Sequence, residues 1–132
     1  MIYIFFLLIE TDFHIVNYID KIGTINLHTF AHNTSLSSSH EEWLEQFATI
    51  KYNLNRLAEV PYERMKGARA PFLQFNDEYF EALRELGITY DSSFIYSDPV
   101  SKTPYWPFTL NYDVPESAQF CHYGECPKQA HE

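Results

Sequence analysis

The chain has 132 residues, the size of one domain, and nine Lys and Arg against eighteen Asp and Glu leave a net charge of −9. Charge of that sign repels a phosphate backbone and an anionic lipid surface, so nucleic acid and membrane-surface partners are excluded. With 45% hydrophobic and 20% charged residues the chain is globular, and its 10 Tyr, 11 Phe and 2 Trp exceed what an interior of this size needs, which predicts rings on a binding surface.

The first predicted element is the apolar run 2–9, eight residues long and far short of the roughly 20 needed to span a bilayer. It lacks the basic residue ahead and the small residues behind that mark a secretory signal, so a buried strand fits it better than a degenerate signal peptide. Asp12 or Thr11 then caps a helix in which Ile15, Val16, Ile19 and Ile22 recur at helical spacing and Gly23 ends it. A short strand over 24–27 leads directly into His28-Thr-Phe-Ala-His32-Asn33. After a polar loop, Ser39 and Glu42 form a capping box ahead of Trp43, Phe47, Ile50, Leu54 and Leu57, which predicts a helix running to about residue 59, before Pro61. Residues 66–70 read as a strand ended by Pro71. Asn76 caps a third helix, with Asp77 and Glu78 in its first turn, Tyr79, Phe80, Leu83 and Leu86 on its apolar face, and Gly87 at its end. A last short strand over 88–90 ends at Asp91-Ser92-Ser93. Strands alternating with helices predict parallel βαβ units, and beyond residue 99 repeated prolines break any long element.

Loops at the C-terminal ends of parallel strands face one side and collect functional groups. Three polar clusters fall there: His28 with His32, Arg69 to Phe72, and Asp91 to Ser93. An H-x-x-x-H pair can place two neutral imidazoles on one metal, but alone the motif is weak, and a pair of hydrogen-bonded loop histidines is the commoner arrangement. His14, His40, His122 and His131 have no comparable spacing and read as surface or structural. Cys121 and Cys126, five positions apart, are either a small surface disulfide, implying an oxidising compartment, or two free thiols. Asn33-Thr34-Ser35 is a glycosylation sequon in a secreted protein; a glycan beside His32 would obstruct it, which favours an unmodified Asn33.

Taken in order, Gly23-Thr-Ile-Asn-Leu-His28-Thr-Phe-Ala-His32-Asn33, Gly67-Ala-Arg69-Ala-Pro71-Phe72-Leu73, Tyr90-Asp91-Ser92-Ser93 and Trp106-Pro-Phe-Thr-Leu110 resemble consecutive motifs of the polysaccharide deacetylases with a NodB-homology domain. The animal chitin-deacetylase-like branch is the nearest in kind, and the Cys121-to-Cys126 loop fits it. The resemblance covers residues 1–132 and implies an α/β fold, a partial, distorted (β/α) barrel. It implies that His28 and His32 bind zinc or another divalent metal, which activates water and polarises the acetamide carbonyl of an N-acetylglucosamine unit in chitin. Arg69 would orient the catalytic base, and the backbone N–H of Phe72 would help hold the oxyanion. Asp91 would support the site from behind. Trp106 would be an apolar wall for the sugar, a reading that stands level with a core tryptophan. The family is extracellular.

Departures from the family pattern carry their own expectations. The T-F-D-D type segment that supplies the base and the metal-ligating aspartate has no counterpart; Ile4-Phe5-Phe6-Leu7 stands where the family's next strand runs, and Asp12 and Asp20 both fall in the first helix. The L-x-x-H type strand bearing the general acid is also missing, and His131 follows the Cys-Pro segment too closely to replace it. With two ligands instead of three, metal affinity should be weak and hydrolysis by this chain alone slow or absent. The expectation is therefore an incomplete deacetylase domain, a fragment or a truncated product. The competing expectation is a non-catalytic protein that binds or organises chitin.

Overall fold

The computed structural model describes residues 4–7, of these the backbone alone, together with 11–35, 37–94, 109–110, 121, 123–128 and 131. Trp106 and His122 lie outside the described residues.

Strand β1 (Ile4–Leu7) lies parallel to β2 (Thr24–Leu27), with Ile4 opposite Thr24 and Leu7 opposite Leu27. Between them runs α1 (Phe13–Asp20), capped by the Asp12 carboxylate, which accepts from the N–H groups of His14 and Ile15. Val16 is buried and Ile19 partly so, but Ile15 and Ile22 are 55% and 53% exposed, so the apolar stripe expected of this helix is only half used. The other end of α1 is tied down by Arg64, whose Nη1 donates to Asp20 Oδ2 at 2.8 Å and whose Nη2 donates to the Asp20 carbonyl at 2.6 Å.

Helix α2 (His40–Ala58) begins at the expected capping box: Ser39 Oγ accepts from Glu42 N, and Glu42 Oε2 accepts from Ser39 N at 2.8 Å. Trp43, Phe47, Ile50 and Leu54 are fully buried, whereas Leu57 is exposed and Ala58 takes the inward place beside it. A turn at Tyr62–Arg64 leads to β3 (Gly67–Ala68), shorter than the strand expected over 66–70. The chain leaves the sheet because the N–H of Ala70 turns to Ser93 Oγ at 2.7 Å instead of a strand carbonyl.

Helix α3 (Asp77–Glu85) is capped by Asn76, whose Oδ1 accepts from the Tyr79 N–H and the Trp43 indole N–H, both at 3.0 Å. It closes in a Schellman motif: Gly87, at φ +68°, sends its N–H to the Arg84 carbonyl, and Ile88 sends its own to the Leu83 carbonyl. Ile88 is thereby drawn into the core as the apolar partner of that motif, and the strand expected over 88–90 starts later, as β4 (Tyr90–Asp91).

The sheet order is β1-β2-β3-β4, every pair parallel. Sequential order with right-handed crossovers puts all the connecting helices on one face. There α2 packs against both α1 and α3, and Ile25 and Leu27 of β2 meet an aromatic core of Trp43, Phe47, Phe75 and Tyr79. Of the aromatic side chains described, Trp43, Phe47, Phe75, Tyr79 and Phe80 are buried, whereas Tyr18, Tyr52, Tyr62, Phe72, Tyr90 and Tyr123 are exposed. Residues between those positions along β2 point to the other face, where Asn26 Oδ1 accepts from the Tyr90 hydroxyl at 2.6 Å.

Candidate functional site

The polar clusters converge beyond the C-terminal ends of β2, β3 and β4. His28 directly follows β2 and its Nδ1 lies 2.7 Å from the Arg69 carbonyl. A carbonyl can only accept, so Nδ1 carries the hydrogen and Nε2 keeps its lone pair. That Nε2 is 3.2 Å from Nε2 of His32. Two nitrogens bound to one tetrahedral zinc at its usual bond length stand about 3.3 Å apart, so the pair is spaced to share a cation. Burial lowers the pKa of His28, opposed by the hydrogen bond to Arg69, while His32 and the Arg69 charge lower it further, toward the neutral form that a metal needs.

The backbone here is bent into an uncommon shape. Thr29 and His32 have φ of +63° and +53°, and Phe72 and Leu73 have +53° and +60°. The remaining non-glycine residue of positive φ among those described, Glu59, is merely a helix cap. Left-handed conformations in non-glycine residues cost energy and gather where a site requires them. The turn at His32 brings its ring edge-on to Phe72, with centroids 4.5 Å apart, and the Ala31 N–H docks the loop onto α2 through Gln46 Oε1 at 2.7 Å.

Arg69 and Phe72 reach the same place from β3. The N–H of Arg69 continues the ladder to the Leu27 carbonyl, which sets its own carbonyl under His28. Phe72 lies in a turn at Pro71–Leu73; its ring is 62% exposed, and its N–H makes no hydrogen bond among the described residues. Asp91 ends β4 and is engaged from two sides: Oδ2 accepts from the Tyr79 hydroxyl at 2.5 Å and from Ser93 Oγ at 2.7 Å, and Oδ1 accepts from Ser93 N at 2.7 Å. Burial raises the Asp91 pKa despite these bonds, and burial together with the Asp91 charge holds the Tyr79 phenol well above its ordinary value. Tyr79 is therefore a fixed donor. Ser93 Oγ in turn accepts from Ala70 N, so Asp91 acts on the loop after β3 through Ser93.

His28, His32, Arg69 and Phe72 are thus neighbours, with Asp91 one step behind them. Among the described residues no group of three or more His, Cys, Asp or Glu gathers around the pair. The donors fit a divalent metal in kind, since one imidazole is already oriented by a carbonyl on its other nitrogen. Cys121 and Cys126 are joined by a disulfide at a different place, over the start of α3. Its loop lies on Phe75 and donates from Glu125 N to the Phe75 carbonyl at 2.8 Å, while Asp77 takes Lys128 N and His131 Nε2, each at 3.1 Å. His40 pairs with Glu85 at 3.3 Å on the surface.

The sequence places Ser93 in the Asp91-Ser92-Ser93 cluster without giving it a role, and it does not mark Tyr79 or Gln46 as site residues at all. Tyr79 sits in the apolar stripe of α3 and reads as core, and Gln46 has no periodic or motif signal of its own. Only the fold shows that they hold the loops bearing Phe72 and His32.

No family model matches the chain. Over 123 residues it is 26% identical to chitin deacetylase 8 of Bombyx mori, a match that takes in 89% of this chain and 31% of the relative's length. The chain thus spans under a third of the curated relative it matches. The likeness supports a chitin deacetylase-like relationship.

Proposed function

We propose that this chain is part of a metal-dependent, chitin deacetylase-like domain acting on polymers of N-acetylglucosamine, with His28 and His32 as two of the metal ligands. The observation that carries the reading is the 3.2 Å approach of the two Nε2 atoms, with His28 oriented by the Arg69 carbonyl. Zinc or a similar ion held there supplies Lewis acidity toward an acetamide carbonyl. The chain's own groups do the rest. Phe72 N–H is the donor for the developing oxyanion, and a fixed donor of that kind is worth several kcal/mol in acyl-transfer sites. Arg69 positions a carboxylate base, Trp106 walls the sugar, and Asp91 keeps the loop after β3 in place through Ser93.

The fold we infer is a segment of a distorted (β/α) barrel. Its support is the sequential parallel order, which leaves the face bearing Asn26 and Tyr90 free of crossover helices, as in a barrel interior. By itself the segment binds metal weakly and hydrolyses slowly or not at all, because among the described residues no third ligand joins the two histidines, where three protein ligands are usual. The same observation favours a second reading, a non-catalytic protein that holds chitin. In either case the parent protein works outside the cell, where the Cys121–Cys126 bond is stable.

The test is cobalt or zinc uptake by the purified chain, with chitin-oligomer binding and acetate release measured beside it. Metal taken up by the wild type and lost in His28→Ala and His32→Ala supports the proposal. Unchanged uptake in both variants overturns it. Oligomer binding without metal leaves the non-catalytic reading in its place.

A further inference from the structure

Residues 33–35 read Asn-Thr-Ser, and no other Asn in the sequence is followed two places on by Ser or Thr. That spacing is what the Asn-glycosylating machinery of the secretory route accepts. The fold presents the segment as such a modification needs. It lies in the loop between β2 and α2, outside any helix or strand, with Asn33 exposed, Thr34 turned inward at 3% exposure and Ser35 half-buried. Among the described residues the Asn33 amide makes no hydrogen bond, so a sugar added to it displaces none. The bonded pair Cys121–Cys126 belongs to an oxidising compartment, the setting in which Asn is glycosylated.

The conflict expected between a glycan and His32 does not follow from this placement. His32 turns its ring to Phe72 and its Nε2 to His28, toward the loop after β3. Asn33 instead lines a cavity of about 180 Å³ with Thr34, Ser38, Glu42, Glu45 and Gln46, over the first turns of α2, and none of His28, His32, Arg69 and Phe72 borders it. The left-handed backbone at His32, φ +53°, bends the chain between the two side chains, and the bond from Ala31 N–H to Gln46 Oε1 holds the loop in that orientation.

We propose that Asn33 is a modification site and carries an N-linked glycan. This goes beyond the function proposed above and shares with it only the secretory route. In the transfer, Asn33 Nδ2 forms a bond to the anomeric carbon of an oligosaccharide carried on a lipid diphosphate. The bond from that carbon to the diphosphate oxygen breaks, the lipid diphosphate leaves, and Nδ2 gives up a proton. The bulky, hydrated product stands over the start of α2, beside Glu42 and Glu45, and leaves the histidine pair open.

The experiment is expression of the full chain in insect cells behind an added, cleavable signal peptide, with the intact mass measured on protein recovered from cells and medium. Wild type from which the signal has been cleaved should be heavier than 15.6 kDa by an oligosaccharide. A peptide N-glycosidase acting without denaturant should remove that excess, because Asn33 is exposed in the folded chain. Asn33→Gln and Ser35→Ala should each lose the glycan, and Ser35→Thr, which keeps the hydroxyl, should retain it. Diethyl pyrocarbonate should react with His32 at the same rate in glycosylated wild type and in Asn33→Gln, a readout independent of metal binding. An unmodified mass in signal-cleaved wild type overturns the proposal. Release of the glycan only after denaturation, or a several-fold slower reaction at His32 in the glycosylated form, overturns its placement over α2.

Discussion

His28 donates its Nδ1–H to the Arg69 carbonyl at 2.7 Å, joining the end of β2 to the end of β3 through a side chain. His28→Ala should therefore cost about 1 kcal/mol of stability, the net worth of an ordinary hydrogen bond, in addition to losing metal. His32→Ala should also lose metal, but the bond it gives up, between its Nε2 and that of His28, lies within one loop and joins no two strands, so its cost should be smaller. Urea midpoints of the two variants, read beside cobalt absorption, check the difference.

Thr29 lies between the two histidines, fully buried, at φ +63°, with its hydroxyl unpaired among the described residues. A left-handed L-residue costs roughly 1–2 kcal/mol and a buried unpaired hydroxyl roughly 1–3 kcal/mol. Thr29→Gly removes both, against about 0.8 kcal/mol for the lost methyl and up to about 1 kcal/mol of glycine entropy. The variant should be more stable than wild type by about 1 kcal/mol, a rise of roughly 4 °C in melting temperature by calorimetry. A lower melting temperature would show that the conformation is not strained.

Ser93 Oγ connects three elements: it accepts from Ala70 N, donates to Asp91 Oδ2 and lies 3.3 Å from the Tyr79 hydroxyl. Ser93→Ala leaves a buried N–H without its acceptor and should cost about 2 kcal/mol. It should also speed hydrogen exchange at Leu73 and Gln74, whose N–H groups close the turn after Ala70. Chemical denaturation and exchange by NMR are the measurements.

Stability should depend on pH through the Tyr79–Asp91 pair. The folded-state pKa of Tyr79 lies well above the ordinary value of about 10, so its contribution is complete below that pH and is lost as pH rises beyond it, where the unfolded chain gives up its proton first. Asp91 is also raised; its contribution is complete below the ordinary carboxylate pKa and is lost as pH rises through the higher folded value. Tyr79→Phe should flatten the alkaline limb of a urea-midpoint profile, and Asp91→Asn should flatten the acid limb.

Gly67 admits the Tyr90 ring across the sheet face opposite the helices. A Cβ there would stand 2.2 Å from the ring and 2.4 Å from Asn26 Oδ1. Gly67→Ala should displace Tyr90, break its bond to Asn26 and cost about 1–3 kcal/mol, visible as a shift in thermal midpoint and in tyrosine fluorescence.

What the sequence determined by itself was the order of elements and most of their ends. Those signals are local: Asp12, Ser39 and Asn76 cap the helices that follow them, and Gly87 ends α3 by adopting a conformation few other residues accept. The same locality made His28, His32, Arg69 and Asp91 visible, because each stands at or just beyond the end of a predicted strand. Where an element depended on partners elsewhere in the chain, the reading slipped. Strand β3 ends early because Ala70 binds Ser93, and β4 starts late because Ile88 completes the cap of α3. Tertiary structure alone decided that the Nε2 atoms of His28 and His32 meet at 3.2 Å, that Tyr79 and Ser93 anchor Asp91, and that Glu42, Glu45 and Gln46 face a cavity next to His32. These relationships join residues from separate elements, and their distances come from how α2 and α3 pack on the sheet, a long-range property that no window of neighbouring residues contains.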